Sequence, residues 1–493
     1  MTNRATGPAE SVVTPVAEGL EPDAIGLVQD TLIGLADSGP AVTVTGSVAV
    51  LAGEAAYAGP LVLLLTAIPM LVVANVYRRL NQWNANCGAS FEWVGRAINP
   101  YLGFLTGWLM LAGTLIGTLF PVEALGPSVL AAFKVSSISS LSNVLVDGGL
   151  VIVMTILAVI GIKITAWAQV GMGVIEYVIL VFFGVAGLLF ALGHHPGSFP
   201  ITSDWFHWGG IGGKGLMAAG FLTAVFMYSG WDGTVYVNEE TRHRAKNPGR
   251  AAVLAVGIVG FFYVFSQIGL QGVVSPSKLQ ANGASALVYL AGVTNGSAGS
   301  QVAAFAVALS VVAATLAGIV LTARITYGMA SYRVLPSFLA DVSPRFRTPV
   351  APTLIAGVFL LVVSSISIYA SSVGNAIGDV IDVTGWLYGS FYLLTVLAAI
   401  AYFRRLIFTK LGDAITVGIL ALGAVAFLGW AIWNSIAEAG EAVRYSFAGV
   451  VVAGILLMFS ARFVQHSPFF SVQLESATEE SPQDQGSAPR HRG

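Results

Sequence analysis

Long apolar stretches follow one another down this chain, parted by short polar or glycine-rich links. They lie near 25–53, 60–80, 101–132, 148–163, 166–193, 215–237, 251–274, 300–332, 351–372, 380–403, 412–433 and 445–463. About 20 apolar residues suffice to cross a bilayer, so the pattern predicts an all-α polytopic membrane protein with twelve transmembrane helices. Two stretches are interrupted at their centres. The first, Ile25–Gly53, carries Leu35-Ala36-Asp37-Ser38-Gly39-Pro40-Ala41; the sixth, Leu216–Val237, carries Phe226-Met227-Tyr228-Ser229-Gly230-Trp231-Asp232-Gly233. Pro40 has no N–H and clashes with the turn before it, and Gly39 loosens the same spot, so a regular helix breaks there. At membrane depth a break is tolerated only where it is buried in protein or lines a cavity. Two interrupted helices in one polytopic chain point to a transport site near the midplane.

Breaks in the first and sixth passes divide the chain into two five-helix halves, 25–193 and 213–403. An odd number of passes per half inverts one half against the other. The last two passes, within 411–463, fall outside this repeat. Residues 1–24 and 467–493 are polar and read as disordered cytoplasmic tails.

Composition narrows the class further. The 493 residues are 56% hydrophobic and 10% charged, where a soluble domain carries about 25% charged residues. No signal peptide is visible at the start, so the first span serves as its own insertion signal. Cys87 is the only cysteine, which excludes an intrachain disulfide and a cysteine-rich metal site. His194, His195 and His207 share one loop and read as surface residues rather than metal ligands, and no cofactor is called for. Basic residues gather after every second span, as in Arg78, Arg79 and Arg96, then Arg242, Arg244, Lys246 and Arg250, then Arg404, Arg405 and Lys410. The positive-inside rule then puts both termini in the cytoplasm of a cell membrane protein. Nothing in the charge pattern suggests a nucleic-acid partner.

Three stretches resemble the amino acid–polyamine–organocation superfamily of permeases. Cys87-Gly88-Ala89-Ser90-Phe91-Glu92-Trp93-Val94-Gly95-Arg96, running into Gly103–Trp108, is similar to that family's loop and third span. Phe226–Asp232, followed by Asn238-Glu239-Glu240 and Asn247-Pro248, resembles its broken sixth span. Thr322-Ala323-Arg324 through Gly328 to Leu335-Pro336 resembles its eighth span and the segment behind it. The resemblance implies the inverted-repeat fold seen in LeuT and the transport of amino acids or related amines. The substrate would sit between the first and sixth spans, with contributions from the third, eighth and tenth.

A break leaves backbone groups unpaired. The N–H end suits a carboxylate and the C=O end suits an ammonium. The first break therefore offers N–H groups around Ser38, Gly39 and Ala41, and the second offers carbonyls near Phe226, Tyr228 and Ser229. In the family this pairing grips both ends of an α-amino acid. Gly39 and Gly230 read otherwise as small residues that let helices approach. The first-span motif departs from the family's Gly-Ser-Gly: Pro40 removes an N–H, and Asp37 adds an anion. Asp37 either meets a substrate ammonium or coupling cation, or caps the broken helix. Asp232 reads as a gating or proton-relay group, or as a structural acceptor.

Glu176, mid-way along the fifth span, is a candidate proton carrier, because carboxyls inside membranes mark proton routes. Some relatives carry a lysine in this span. Sodium would need hydroxyls on the eighth span. Ser310, Thr315 and Thr322 are present without an adjacent Ser/Thr pair, which favours a proton as coupling ion. Phe226 and Tyr228 would cover the substrate, Trp231 would line the pocket, and Gly318 would leave it roomier than in relatives with an aromatic gate there. Arg324 would snorkel or pair with Glu240, at the sharpest as an inner gate. The reading that emerges is a secondary transporter for a small amino acid or related amine. A polyamine or amine permease, or an exchanger without ion coupling, stands as the alternative. An intramembrane enzyme lacks a mid-span histidine or nucleophile–base set, and a channel fits poorly with so few intramembrane polar residues.

Overall fold

The computed structural model describes residues 19–135, 139–282, 285–370 and 373–477. The tail expectations for residues 1–18 and 478–493 lie outside the described residues. The first pass is split into α1 (Leu27–Asp37) and α2 (Pro40–Ala55), and α3 (Gly59–Trp83) returns. A short α4 (Ser90–Ala97) leads to α5 (Pro100–Gly117), whose Asn99 cap accepts the Tyr101 N–H at 2.8 Å. The third pass continues through Thr118 as α6 (Leu119–Ala132). Helices α7 (Ser140–Ile160) and α8 (Ile162–Leu192) follow, joined at Gly161. The sixth pass is again split, into α9 (Lys214–Tyr228) and α10 (Gly233–Tyr236). Then come α11 (Asn247–Val273), α12 (Pro276–Asn282), α13 (Ala286–Ser331), α14 (Val350–Ala370) and α15 (Val373–Ile407). A short α16 (Leu411–Asp413) runs through a π-helical turn into α17 (Leu420–Ser435), and α18 (Glu441–Phe459) is the last pass.

Ten stretches of the described residues are long and apolar enough to cross a bilayer. The first of them, Leu27–Trp83, covers α1, α2 and α3 and so contains two passes, while α9 is a shorter apolar helix. With these, each of the twelve predicted passes has a helical counterpart. Helix α13 is central: 83% of its most apolar window is buried, against 11% for α18 at the rim.

Several boundaries differ from the sequence expectation, each for a local reason. The fourth pass begins at Ser140 rather than near 148, because Ser139 caps it and Asp147 is no obstacle: its carboxylate accepts the Gly126 N–H. Helix α13 starts well before residue 300 and is bent at Gly296. Residues 467–477 are not a free tail. Phe469 is buried and stacks on Phe91 at 4.0 Å, Glu475 pairs with Arg96 at 2.9 Å, and the Ala477 N–H donates to the Tyr402 carbonyl.

The two breaks meet in the middle of the bundle. Gly39 sits at φ 49°, and Pro40 then occupies the first helical position of α2, where its missing N–H costs nothing. In the sixth pass Ser229 is extended and Gly230 takes φ 97°. A Cβ on Gly230 would lie 2.5 Å from the Ser38 nitrogen. The Ser38 hydroxyl donates to the Ser229 carbonyl at 2.8 Å, tying one break to the other.

Gly230→Ala should therefore lower stability by about 1–3 kcal/mol, the usual cost of a non-glycine residue held in such backbone, with added loss from the clash. Gly171→Ala on α8, where a Cβ meets open space, should leave stability unchanged or slightly raised. Thermal unfolding followed by size exclusion distinguishes the two.

Candidate functional site

A narrow cavity lies where the breaks meet. Asp37, Ser38, Gly39, Val42 and Thr43 line it from the first pass, and Phe226 and Ser229 from the sixth. The third pass adds Thr114, Gly117, Thr118, Phe120 and Pro121, the eighth Ala314, and the tenth Tyr388. Phe226 meets Phe120 edge-on, ring centroids 5.4 Å apart.

The N–H groups that the sequence leaves open for a carboxylate are all taken. Ser38 donates to Gly34 O at 3.3 Å and Gly39 to Ala36 O at 3.0 Å. The Ala41 N–H donates to Glu176 Oε1 at 2.7 Å, and the Val42 N–H to Ser310 Oγ at 3.2 Å. The Ser310 hydroxyl in turn donates to the same Glu176 Oε1 at 2.6 Å. Glu176, on α8, thus caps α2 from a distance of 135 residues in sequence. The carboxyl occupies the positive end of the helix, where an anion is favoured.

Asp37 behaves differently. It lines the cavity, and its carboxylate takes no hydrogen bond or ion pair from the described residues. Asp232, by contrast, is fully buried and saturated. Its Oδ1 accepts from the Tyr392 hydroxyl at 2.8 Å and the Gly230 N–H at 3.2 Å, and its Oδ2 from the Tyr236 hydroxyl.

Of the predicted substrate-binding residues, Pro40, Ala41, Tyr228, Gly230 and Trp231 do not line this cavity. The Tyr228 side chain turns away and donates to Leu63 O at 3.1 Å. Trp231 is buried, stacked on Tyr392 at 5.4 Å and packed edge-on against Tyr77, and it does not line the cavity. Gly318 makes no extra room, because Thr118 fills the space its side chain would take. Thr315 is buried with its hydroxyl unpartnered and lies outside the cavity lining. Sequence reasoning missed Thr43, Thr114, Thr118 and Tyr388, since isolated hydroxyls on apolar helices give no pattern to read. It noticed Ser310 only as a possible sodium ligand.

Close in sequence to the basic residues Arg242 and Arg244, Glu240 forms an ion pair with Arg324 of the eighth pass. Both are fully buried, with Nε to Oε2 at 3.0 Å and Nη2 to Oε1 at 3.1 Å. Beside them, outside the spans, the Cys87 N–H donates to Glu239 Oε1 at 3.1 Å, although burial lifts the Glu239 carboxyl above its ordinary range. Glu240→Gln should cost about 3–5 kcal/mol by stranding the buried Arg324. Replacing both partners with apolar residues of similar size should recover most of that loss, which a double-mutant cycle on thermal unfolding would read.

Residues 26–459 match the family model described as amino acid permease. An uncharacterized transporter of Mycobacterium tuberculosis is 27% identical over 356 residues, covering 71% of this chain and 75% of that protein. The human large neutral amino acids transporter small subunit 2 is 31% identical over 166 residues, covering 32% of this chain and 30% of its own length. A low-affinity putrescine importer of Escherichia coli is 25% identical over 319 residues, covering 60% and 64%. The crystal structure of a manganese transporter from Eremococcus coleocola shares the fold, with a TM-score of 0.54 at 13% identity, over 92% of this chain and 99% of that one.

Proposed function

The chain belongs to the amino acid permease family and is a multi-pass membrane transporter. From that premise we propose that it moves a small amino acid or a related amine across a cell membrane by alternating access, coupled to protons. Basic loops clustered at one end favour a cytoplasmic placement of both termini. The two five-helix halves, 25–193 and 213–403, would then be the inverted units that move against each other.

The observation that carries the coupling is the geometry of Glu176. Both of its donors, the Ala41 N–H and the Ser310 hydroxyl, use Oε1. Oε2 is left to carry a proton while both donors stay aimed at Oε1. Proton arrival there would remove an anion from the α2 terminus and weaken the tie between α2, α8 and α13. A group whose charge change alters a contact among three helices has the means to bias one arrangement over another. Alternating access is favoured by two separate contacts that would serve as gates, the Phe120–Phe226 ring pair at the cavity and the buried Arg324–Glu240 ion pair.

Reconstituted into proteoliposomes, the protein should take up substrate faster when the outside is made acid. A sodium gradient imposed alone should have no effect. Glu176→Gln keeps an oxygen for Ala41 but cannot carry the proton. It should lose the stimulation by the pH gradient while retaining counterflow exchange. Uptake driven by sodium, or a Gln variant still driven by the pH gradient, would sink this assignment.

A further inference from the structure

We infer that the substrate is a primary amine without a carboxylate, and that Glu176 and Asp37 are the residues that exclude one. This rests on the cavity at the two breaks being the substrate site, and it narrows that reading from amino acid or amine to amine alone.

Donors and acceptors around the cavity are unequally available. A bound carboxylate needs N–H or O–H donors, or a cation. No lysine, arginine or histidine lines the cavity. Every backbone N–H from Ser38 to Thr43 is already used: Pro40 has none, Ala41 and Val42 donate to Glu176 and Ser310, and Ser38, Gly39 and Thr43 donate to carbonyls.

The lining hydroxyls are spent in the same way. Ser38 donates to Ser229 O at 2.8 Å, Thr43 to Ser38 O at 2.7 Å and Thr114 to Met110 O at 3.0 Å. Thr118 donates to Thr114 O at 2.6 Å and Ser229 to Phe226 O at 2.6 Å. Of the side-chain donors on the lining, the Tyr388 hydroxyl alone is not committed to a backbone carbonyl. What faces the cavity is therefore a set of oxygen lone pairs, one unpaired carboxylate, Asp37, and the Tyr388 hydroxyl, which meets the Thr114 side chain.

An ammonium matches that surface. It has three donors and no acceptor, and its charge answers that of Asp37. A carboxylate on the same molecule would find no donor left on the α2 terminus and would be repelled by Asp37 at close range. Discrimination of this kind comes from denying partners to the wrong ligand as much as from gripping the right one. The α2 terminus has an anion already, supplied by Glu176.

The test uses the full-length protein and three matched pairs that differ only by a carboxylate: ethanolamine and serine, isobutylamine and valine, putrescine and ornithine. Binding is read in detergent as the rise in unfolding temperature, and transport as uptake into proteoliposomes. At least one amine should stabilise the protein and enter at least tenfold faster than its amino acid partner. Glu176→Ala, which bares the Ala41 N–H, should shrink that ratio towards one, whereas Glu176→Gln should preserve it. Asp37→Asn should abolish stabilisation by the amine. It is the check to use if the alanine variant does not elute as a single species. An amino acid that binds and enters as well as its amine overturns the inference and leaves the transport reading standing. An amine that binds with the expected preference but does not enter upholds the selectivity and overturns the transport reading. No response to any of the six compounds overturns both.

Discussion

A peptide group exposed inside hydrocarbon must find a partner in the protein, because leaving it bare costs several kcal/mol. The centre of this molecule is arranged around that constraint. Pro40 and Gly39 end one helix and start another in mid-bilayer, and three other passes then supply what the ends lack. Glu176 from α8 takes the Ala41 N–H, Ser310 from α13 takes that of Val42, and the Tyr263 hydroxyl from α11 donates to the Ser38 carbonyl at 3.0 Å. The second break is held by the first, through Ser38 and Ser229. The two fractures therefore stabilise each other, and any motion of one half of either helix has to break a named hydrogen bond.

The end carrying the basic loops is held by charge rather than by backbone capping. Arg324 and Glu240 face each other with no exposure to solvent. A buried pair of this kind contributes little net stability, but it fixes register, since neither partner can be left alone. Residues 467–477 add a second clasp. Glu475 reaches Arg96 and the Trp83 indole, Phe469 lies over Gly95 and Phe91, and Ala477 is tied to Tyr402. The last described residues thereby bind α3, α4 and α15 together.

The architecture was legible because its signals are long. Twelve apolar runs, two interrupted by glycine or proline next to acid and hydroxyl, are enough to place both breaks and to expect that they face each other. Glu176 was legible as an oddity, since a carboxyl in an apolar run needs a reason. Its partner was not, because Ala41 is one of many alanines and the pairing spans 135 residues. Tyr228 and Trp231 lie off the cavity lining for a common cause. Position along a helix fixes depth, while the direction of a side chain depends on neighbours that the sequence does not align. Tyr228 points to Leu63 and Trp231 to Tyr392, partners on passes two and ten. The tail was misjudged because composition averages over Phe469 and Phe470, two aromatic residues in an otherwise polar stretch.

The selectivity proposed above follows from the same constraint that shapes the breaks. Where a guest is held by unpaired peptide groups, a side chain that caps a broken helix removes a recognition element. A capped N–H is no longer available to a ligand, and a threonine that donates back to its own helix presents only lone pairs outward. Here the capping residue is an acid, so the helix end is neutralised as well as filled. The chemistry of the cavity is thus set less by the residues that line it than by Glu176 and Ser310, which stand behind it. Relatives with the same broken helices and a different residue at those two places would present a different balance of donors and acceptors without any change in fold.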